Sequence, residues 1–225
     1  MFHFRIVPAG DAAIVVQFPE RIDSELNEHC VGLAKRIEGQ LKGPILDVVV
    51  GYCSVTTYFD PLAVDVRWVE EQIRKLAEHP TGATCRLGVL IEVPVCYGGE
   101  FGPDLAEVAR FGNCSEQDAI RFHSSVTYRV FVVGFVPGFA YLAEVDRRIA
   151  IPRRPSPRTA VPPGSVGIAG GQTGIYPSAT PGGWNIIGRT AVKPYDPVRD
   201  EPFLLKPGDR VRFRPIGADE FQAGL

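Results

Sequence analysis

Residues 160–188 read AVPPGSVGIAGGQTGIYPSATPGGWNIIG, and the fold of the larger part of the chain follows from this stretch. Val161, Val166, Ile168, Ile175, Ile186 and Ile187 fall in short β-branched runs, each cut off by Gly or Pro. Such runs are too short for helices, and β-branched side chains suit a pleated surface. From Gly134 to Trp184 about one residue in three is Gly or Pro, against about one in five over the whole chain. Helical periodicity has no room to establish itself there. Disorder is the competing explanation, and it fails because the same aliphatic residues, with Trp184, supply core material. The expectation is an all-β domain with long shaped loops, closed as a barrel.

The stretch is also unusual in what it lacks. It contains no Asp, Glu, Lys or Arg, yet holds Gln172, Thr173, Tyr176, Ser178, Thr180 and Asn185. Arg153, Arg154 and Arg158 lie just before it and Arg189 just after. Surface loops normally carry charge, so an uncharged polar set points to a pocket or an interface. Glycines such as Gly164, Gly167, Gly170, Gly171, Gly182 and Gly183 let backbone approach a ligand closely. The flanking arginines suit bidentate capture of a phosphate or carboxylate. The alternative is a set of tight barrel turns with the arginines on the solvated surface. Phe135, Phe139 and Tyr141 stand equally for core aromatics or a pocket wall.

Working outward, Val126–Val133 reads as a strand, and Leu204–Lys206 and Arg210–Arg214 read as strands about a turn at Pro207-Gly208-Asp209. Short helices are expected at Pro103–Arg110 and Ser115–His123, the second opening on Ser115 and Asp118 in capping-box spacing. Nearer the N-terminus the pattern changes. Phe2–Val7, Ala13–Phe18, Ile45–Tyr52, Ser54–Phe59 and the long apolar Arg86–Val95 read as strands. Leu26, Cys30, Leu33, Ala34 and Ile37 recur at helical spacing, after a cap at Asp23 or Ser24 and before Gly39. A second helix follows Asp60-Pro61, with Leu62, Val66, Val69, Ile73 and Leu76 on one face. The predicted architecture is an α+β domain over residues 1–85, two helices on one face of a mainly antiparallel sheet, then an all-β barrel domain over residues 86–225.

Bulk properties exclude several functions. A net charge of −2 leaves no basic field for nucleic acid or anionic lipid. No apolar run nears the ~20 residues of a membrane helix. Residues 1–10 carry Arg5 and Pro8 and lack the apolar core of a signal peptide. Cys30, Cys53, Cys85, Cys96 and Cys114 are widely spaced without a C-x-x-C pair, which favours reduced, partly buried thiols over a disulfide framework or a zinc site. With no export signal, that points to the cytoplasm. No P-loop occurs, and no G-x-G-x-x-G follows a strand. In Gly164-Ser165-Val166-Gly167 the serine is misplaced for a hydrolase elbow. His3, His29, His79 and His123 lack metal-ligand spacing, so no metal site is expected. His123, adjoining the strand Val126–Val133, reads as a cap, a packed side chain or a catalytic group.

Longer motifs carry a resemblance. Residues 134–142, GFVPGFAYL, fit the pattern G-F-x-P-G-F-x-Y-L. With them stand PRR at 152–154, PPGSVGI at 162–168, QTGIYP at 172–177, TPGGW at 180–184, YGG at 97–99, GPDL at 102–105 and HSSV at 123–126. In that order and spacing the chain resembles the B subunit of bacterial ATP-dependent 5-oxoprolinase, also called subunit 1 of allophanate hydrolase, a family that includes a sporulation kinase inhibitor. The likeness runs over nearly the whole chain, mainly by pattern in the N-terminal third.

The resemblance implies a cyclophilin-like barrel over residues 86–225, without implying prolyl isomerase activity. It implies a complex with two further components of 5-oxoprolinase, the larger C subunit, which carries a related barrel, and the separate A subunit. Together they open the lactam of 5-oxoproline to glutamate while hydrolysing ATP, the isolated chain being inactive. ATP with magnesium is the implied cofactor, on this chain or mainly on a partner. A lactam carbonyl is a poor electrophile, and phosphorylating its oxygen creates a leaving group; that step needs cations and N–H donors around developing charge. On this basis Arg153 and Arg158 are candidates to hold a carboxylate or phosphate. Backbone N–H groups near Gly170, Gly171, Gly182 and Gly183 would cradle oxygens. Gln172, Thr173 and Tyr176 would orient the amide beside Tyr141, and His123 is a candidate for proton transfer. The alternatives are one component of a urea- or allophanate-related carboxyltransferase, or an inhibitor docking on a sensor histidine kinase. An isolated chain could also self-associate through the surface its partner covers.

Overall fold

A computed structural model describes residues 2–79 and 88–224. The chain divides into two compact units, residues 1–88 and 89–225. The expected boundary after residue 85, the expected strand start at Arg86, and Cys85 lie outside the described residues.

In the first unit, strands β1 (Arg5–Pro8), β2 (Ala13–Gln17), β3 (Ile45–Val50) and β4 (Ser54–Phe59) form an antiparallel sheet in the order β1-β2-β4-β3. Helix α1 (Ser24–Gln40) starts where the Asp23 carboxylate accepts the Leu26 N–H at 2.8 Å, satisfying one of the unpaired donors of the first turn. Its residues Leu26, Cys30, Leu33, Ala34 and Ile37 are buried, as their spacing predicts. Helix α2 (Val66–Glu78) adds Val69, Ile73 and Ala77 to the same apolar cluster, together with Ile14, Val16, Val55 and Phe59 of the sheet. Both helices thus cover one sheet face. The second helix is shorter than expected. Leu62, assigned to its buried face, is 97% exposed, because the Asp60 carboxylate accepts the Leu62 N–H in a turn and Asp65 caps the helix later.

The second unit is a closed seven-stranded barrel. Its strands are β5 (Leu90–Tyr97), β6 (Thr127–Val133), β7 (Ala140–Ala143), β9 (Ser165–Ala169), β10 (Gln172–Ile175), β12 (Asn185–Arg189) and β13 (Arg210–Ile216). They close in the order β10-β7-β6-β13-β5-β12-β9, with β5 and β13 parallel and the other pairs antiparallel. Closure leaves no unpaired edge. A separate ribbon pairs β8 (Arg158–Val161) with β11 (Thr180–Gly182). Helices α3 (Leu105–Phe111) and α4 (Glu116–Ser124) contribute Leu105, Val108, Ala109 and Ala119 to the core formed with Val93, Val130, Leu142, Val166, Ile168 and Phe213. Ser115 caps α4, its hydroxyl accepting the Asp118 N–H and donating to the Asp118 carboxylate. A short helix, α5 (Ala218–Ala223), follows the last strand. Leu204–Lys206 is not a strand: the Asp209 carboxylate accepts the Lys206 N–H and folds the segment into a turn ahead of β13.

The uncharged stretch owes its composition chiefly to burial. Strands β9 and β12 are buried at nearly every position, and a charged side chain there would lose its hydration without a partner. Asn185 and Thr173 lie inside with their polar atoms satisfied: Asn185 donates to the Pro152 and Ile168 carbonyls, and Thr173 to that of Gly167.

Candidate active site

A second, smaller apolar cluster sits between the barrel and the β8–β11 ribbon: Phe139, Val161, Ala169, Tyr176, Trp184 and Ile186. It floors a cavity of about 250 Å³ lined by Phe135, Phe139, Tyr141, Arg153, Pro157, Tyr176, Pro181, Gly182, Gly183 and Trp184. Phe139 is the hub, with the rings of Tyr141, Tyr176 and Trp184 edge-on around it at 4.8, 5.1 and 5.3 Å between centroids. Edge-to-face contacts of this kind fix ring orientation as well as burying area. Arg153 completes the wall, its guanidinium carbon 6.0 Å from the Trp184 ring centroid.

One carboxylate holds the rim together. Asp104, 4% exposed ahead of α3, accepts Arg154 Nη1 at 2.9 Å and Arg158 Nη2 at 2.7 Å on one oxygen, and the Ile186 N–H at 2.6 Å on the other. Arg154 also lies 3.6 Å from Glu107. The two arginines neighbouring the cavity are therefore committed to protein. Arg153 is not: among the described residues no acidic side chain pairs with it. Its backbone is clamped on both sides, by Asn185 donating to the Pro152 carbonyl and by the Arg154 N–H donating to the Gly183 carbonyl. Among the described residues lining the cavity, Arg153 is thus the available cation, and it stands on a fixed loop.

Burial raises the Tyr141 and Tyr176 hydroxyls above the usual phenol range, so both stay neutral donors and acceptors. The Trp184 backbone N–H beside the Tyr176 oxygen offsets part of that rise. Gly182 has no room for a side chain: a Cβ there would stand 2.5 Å from the Tyr176 hydroxyl and 2.9 Å from its ring. Gly182→Ala is therefore expected to push the Tyr176 ring from its seat at a cost of about 1–3 kcal/mol, read as a lower denaturation midpoint.

Of the residues singled out from sequence, Tyr141, Arg153, Tyr176, Gly182 and Gly183 meet at this cavity. Arg158, Gly170, Gly171, Gln172, Thr173 and His123 are outside its lining. Arg158 is held by Asp104. Gly170 and Gly171 form the β9–β10 turn, where the Gly170 N–H already donates to the Ile151 carbonyl and has nothing left for an oxyanion. Gln172 pairs with Ala143 and Ala169 in the barrel wall. Sequence reasoning gave no role to Asp104, although GPDL was among its motifs. The signal was physical: arginines flanking an apolar stretch require a buried counter-ion.

His123 lies wholly buried in the barrel. Its Nδ1 is 2.8 Å from the Tyr97 hydroxyl and its Nε2 2.8 Å from Thr173 Oγ1. Because Thr173 donates to Gly167, its oxygen accepts from Nε2–H, and Nδ1 then accepts from Tyr97. One neutral tautomer satisfies the whole chain. Burial drives the imidazole down to about 3, against 6.5 in an unfolded chain. The folded pKa being depressed, this contribution is full above pH 6.5 and is lost as pH falls toward 3, with a slope near 1.4 kcal/mol per pH unit. Denaturant midpoints of the barrel unit between pH 7 and 4 should show that fall, and His123→Gln should remove it. His29 in the first unit is lowered too, by burial and then by Arg36, so the difference between the two proteins is the measure.

Comparison with known proteins places this geometry. The profile described as carboxyltransferase domain, subdomain C and D, matches residues 4–205. The B subunit of 5-oxoprolinase from Bacillus subtilis is 38% identical, over 98% of this chain and 96% of its own length. The protein of the same name from Escherichia coli O157:H7 is 41% identical, over 92% and 93%. The chain belongs to the family of 5-oxoprolinase B subunits. Among solved structures, that of TTHA0988 is 37% identical with a TM-score of 0.82, covering 92% of this chain and 40% of its own. This member of the B-subunit family thus spans well under half the length of TTHA0988. The stretch GFVPGFAYL at 134–142 supplies Phe135, Phe139 and Tyr141 to the cavity, and TPGGW at 180–184 supplies Pro181, Gly182, Gly183 and Trp184.

Proposed function

We propose that this chain acts as the B subunit of a cytoplasmic, ATP-dependent 5-oxoprolinase, working with the C and A subunits to open 5-oxoproline to glutamate and inactive alone. We read the closed barrel as the cyclophilin-like type. The name shared by the bacterial relatives supports the assignment. The observation that carries a site on this chain is the aromatic cavity with an arginine that no acidic side chain pairs among the described residues. A cavity of about 250 Å³ is amino-acid-sized, below the ~300–1,000 Å³ usual for larger ligands. Arg153 suits the carboxylate of 5-oxoproline, the aromatic lining suits a flat lactam, and the Tyr176 O–H can donate to its carbonyl.

The same residues do not fit a nucleotide with magnesium. One available cation and an amino-acid-sized space leave a triphosphate unaccommodated, and among the described residues no cluster of three or more His, Cys, Asp or Glu is arranged for a metal ion. In this reading ATP binds on a partner, and this chain holds and orients the lactam. Among the described residues no helix is long and apolar enough to cross a membrane. The test is 5-oxoproline-dependent release of ADP and glutamate, measured with this chain alone, with the C subunit, and with the C and A subunits together. Activity confined to mixtures containing this chain is the expected result. Equal turnover without it would overturn the reading.

A further inference from the structure

Phe135 occupies a backbone position that its side chain does nothing to justify locally. Its φ is 70°, the left-handed region in which an L side chain crowds the following carbonyl and glycine or asparagine serves at less cost. The turn is closed by other groups: the Gly134 N–H donates to the Phe139 carbonyl at 3.0 Å, the Val136 N–H to that of Gly134 at 2.9 Å, and the Phe139 N–H to that of Val136 at 3.0 Å. The Phe135 ring is 63% exposed, whereas Phe139 beneath it is 2% exposed, so core burial does not repay the conformation. Strain of this kind persists where the ring is needed in one place.

That place is the outer wall of the cavity. Phe135 stands edge-on to Phe139 with ring centroids 5.7 Å apart and planes at 83°. From it a continuous series of contacts runs through Phe139 and Trp184 to Arg153. Phe135 and Arg153 thus both line the cavity, Phe135 against Phe139 and Arg153 against Trp184. We propose that Phe135 determines ring size: a carboxylate seated at Arg153 sends its lactam ring toward Phe135, where five ring atoms fit and a sixth meets the phenyl edge. This rests on the reading that the cavity takes the lactam.

The experiment compares, in the reconstituted complex, the KM for 5-oxoproline with the inhibition constant of its six-membered homologue, 6-oxopiperidine-2-carboxylate. Phe135→Gly and Phe135→Asn both accept the left-handed backbone, so each keeps the turn while removing the ring. The preference for the smaller ring is expected to fall about tenfold in both, the usual worth of one methylene in an apolar pocket. An unchanged preference in both variants overturns the proposal; a lowered unfolding temperature with that preference intact would mark Phe135 as structural only. Arg153→Ala separates the two ideas. If it weakens both lactams while the Phe135 variants keep the wild-type preference, ring selection fails alone. If it too changes nothing, the cavity is not the lactam site and both readings fall.

Discussion

Asp104→Ala is expected to destabilise the barrel unit by about 3–5 kcal/mol, the cost of removing one partner from a buried ion pair. The Asp104 side chain is 5% exposed, and its loss takes the buried counter-ion from two arginine side chains that are only 30% and 26% exposed, leaving Arg154 with Glu107 at 3.6 Å. It also leaves the buried Ile186 N–H without an acceptor. Among the described residues Arg154 Nε and Arg158 Nη1 have no hydrogen-bond partner, so neither arginine has a second bond to fall back on at those atoms. Partial water access to the arginines favours the lower end of the range. Asp104→Asn separates the contributions, because its amide oxygen can still accept from Ile186 while the charge is gone; an intermediate midpoint is expected. Guanidinium denaturation in a Trp68→Phe background, followed by Trp184 emission, reads both variants. Midpoints equal to wild type would show that the arginines are adequately hydrated without the carboxylate.

Arg153→Ala is expected to lower kcat/KM for 5-oxoproline in the assembled complex by about 10²-fold, mostly through KM, since a carboxylate that takes no part in the bond breaking is held alike in the ground and transition states. Stability should hardly change, because Arg153 is exposed and forms no ion pair among the described residues. Arg153→Lys keeps the charge but loses the planar fork and the stacking on Trp184, so only part of the affinity should return. An Arg153→Ala complex with wild-type KM would remove the carboxylate assignment.

Asp104 and Arg153 also mark what the sequence could and could not convey. Helical spacing located α1 to within a residue, because its buried face is almost wholly apolar and Asp23 caps it locally. Leu62 misled for the complementary reason: its spacing suits the helix, but Asp60 and Asp65 compete for the backbone ahead of it. At the site, local motifs named the rings and Arg153. Residue types alone could not say which arginine was spent, since Asp104 reaches Arg154 and Arg158 across some fifty residues of chain. Thr173 and His123, singled out in the sequence for their polar character, prove to share a satisfied internal hydrogen-bond chain, a long-range pairing that residue types do not display.

Barrel closure between β5 and β13 has a consequence for synthesis. The parallel ladder from Leu90–Arg210 to Cys96–Ile216 joins the first barrel strand to the last. During translation the N-terminal unit has all its strands and helices available while the barrel still lacks its keystone. Until Arg210–Ile216 leaves the ribosome, β5 and β6 each have an open edge and an apolar face, a state prone to mispairing and chaperone capture. Nascent chains stalled before residue 210 should be protease-resistant over the first unit alone, gaining protection of the second in a single step once β13 emerges.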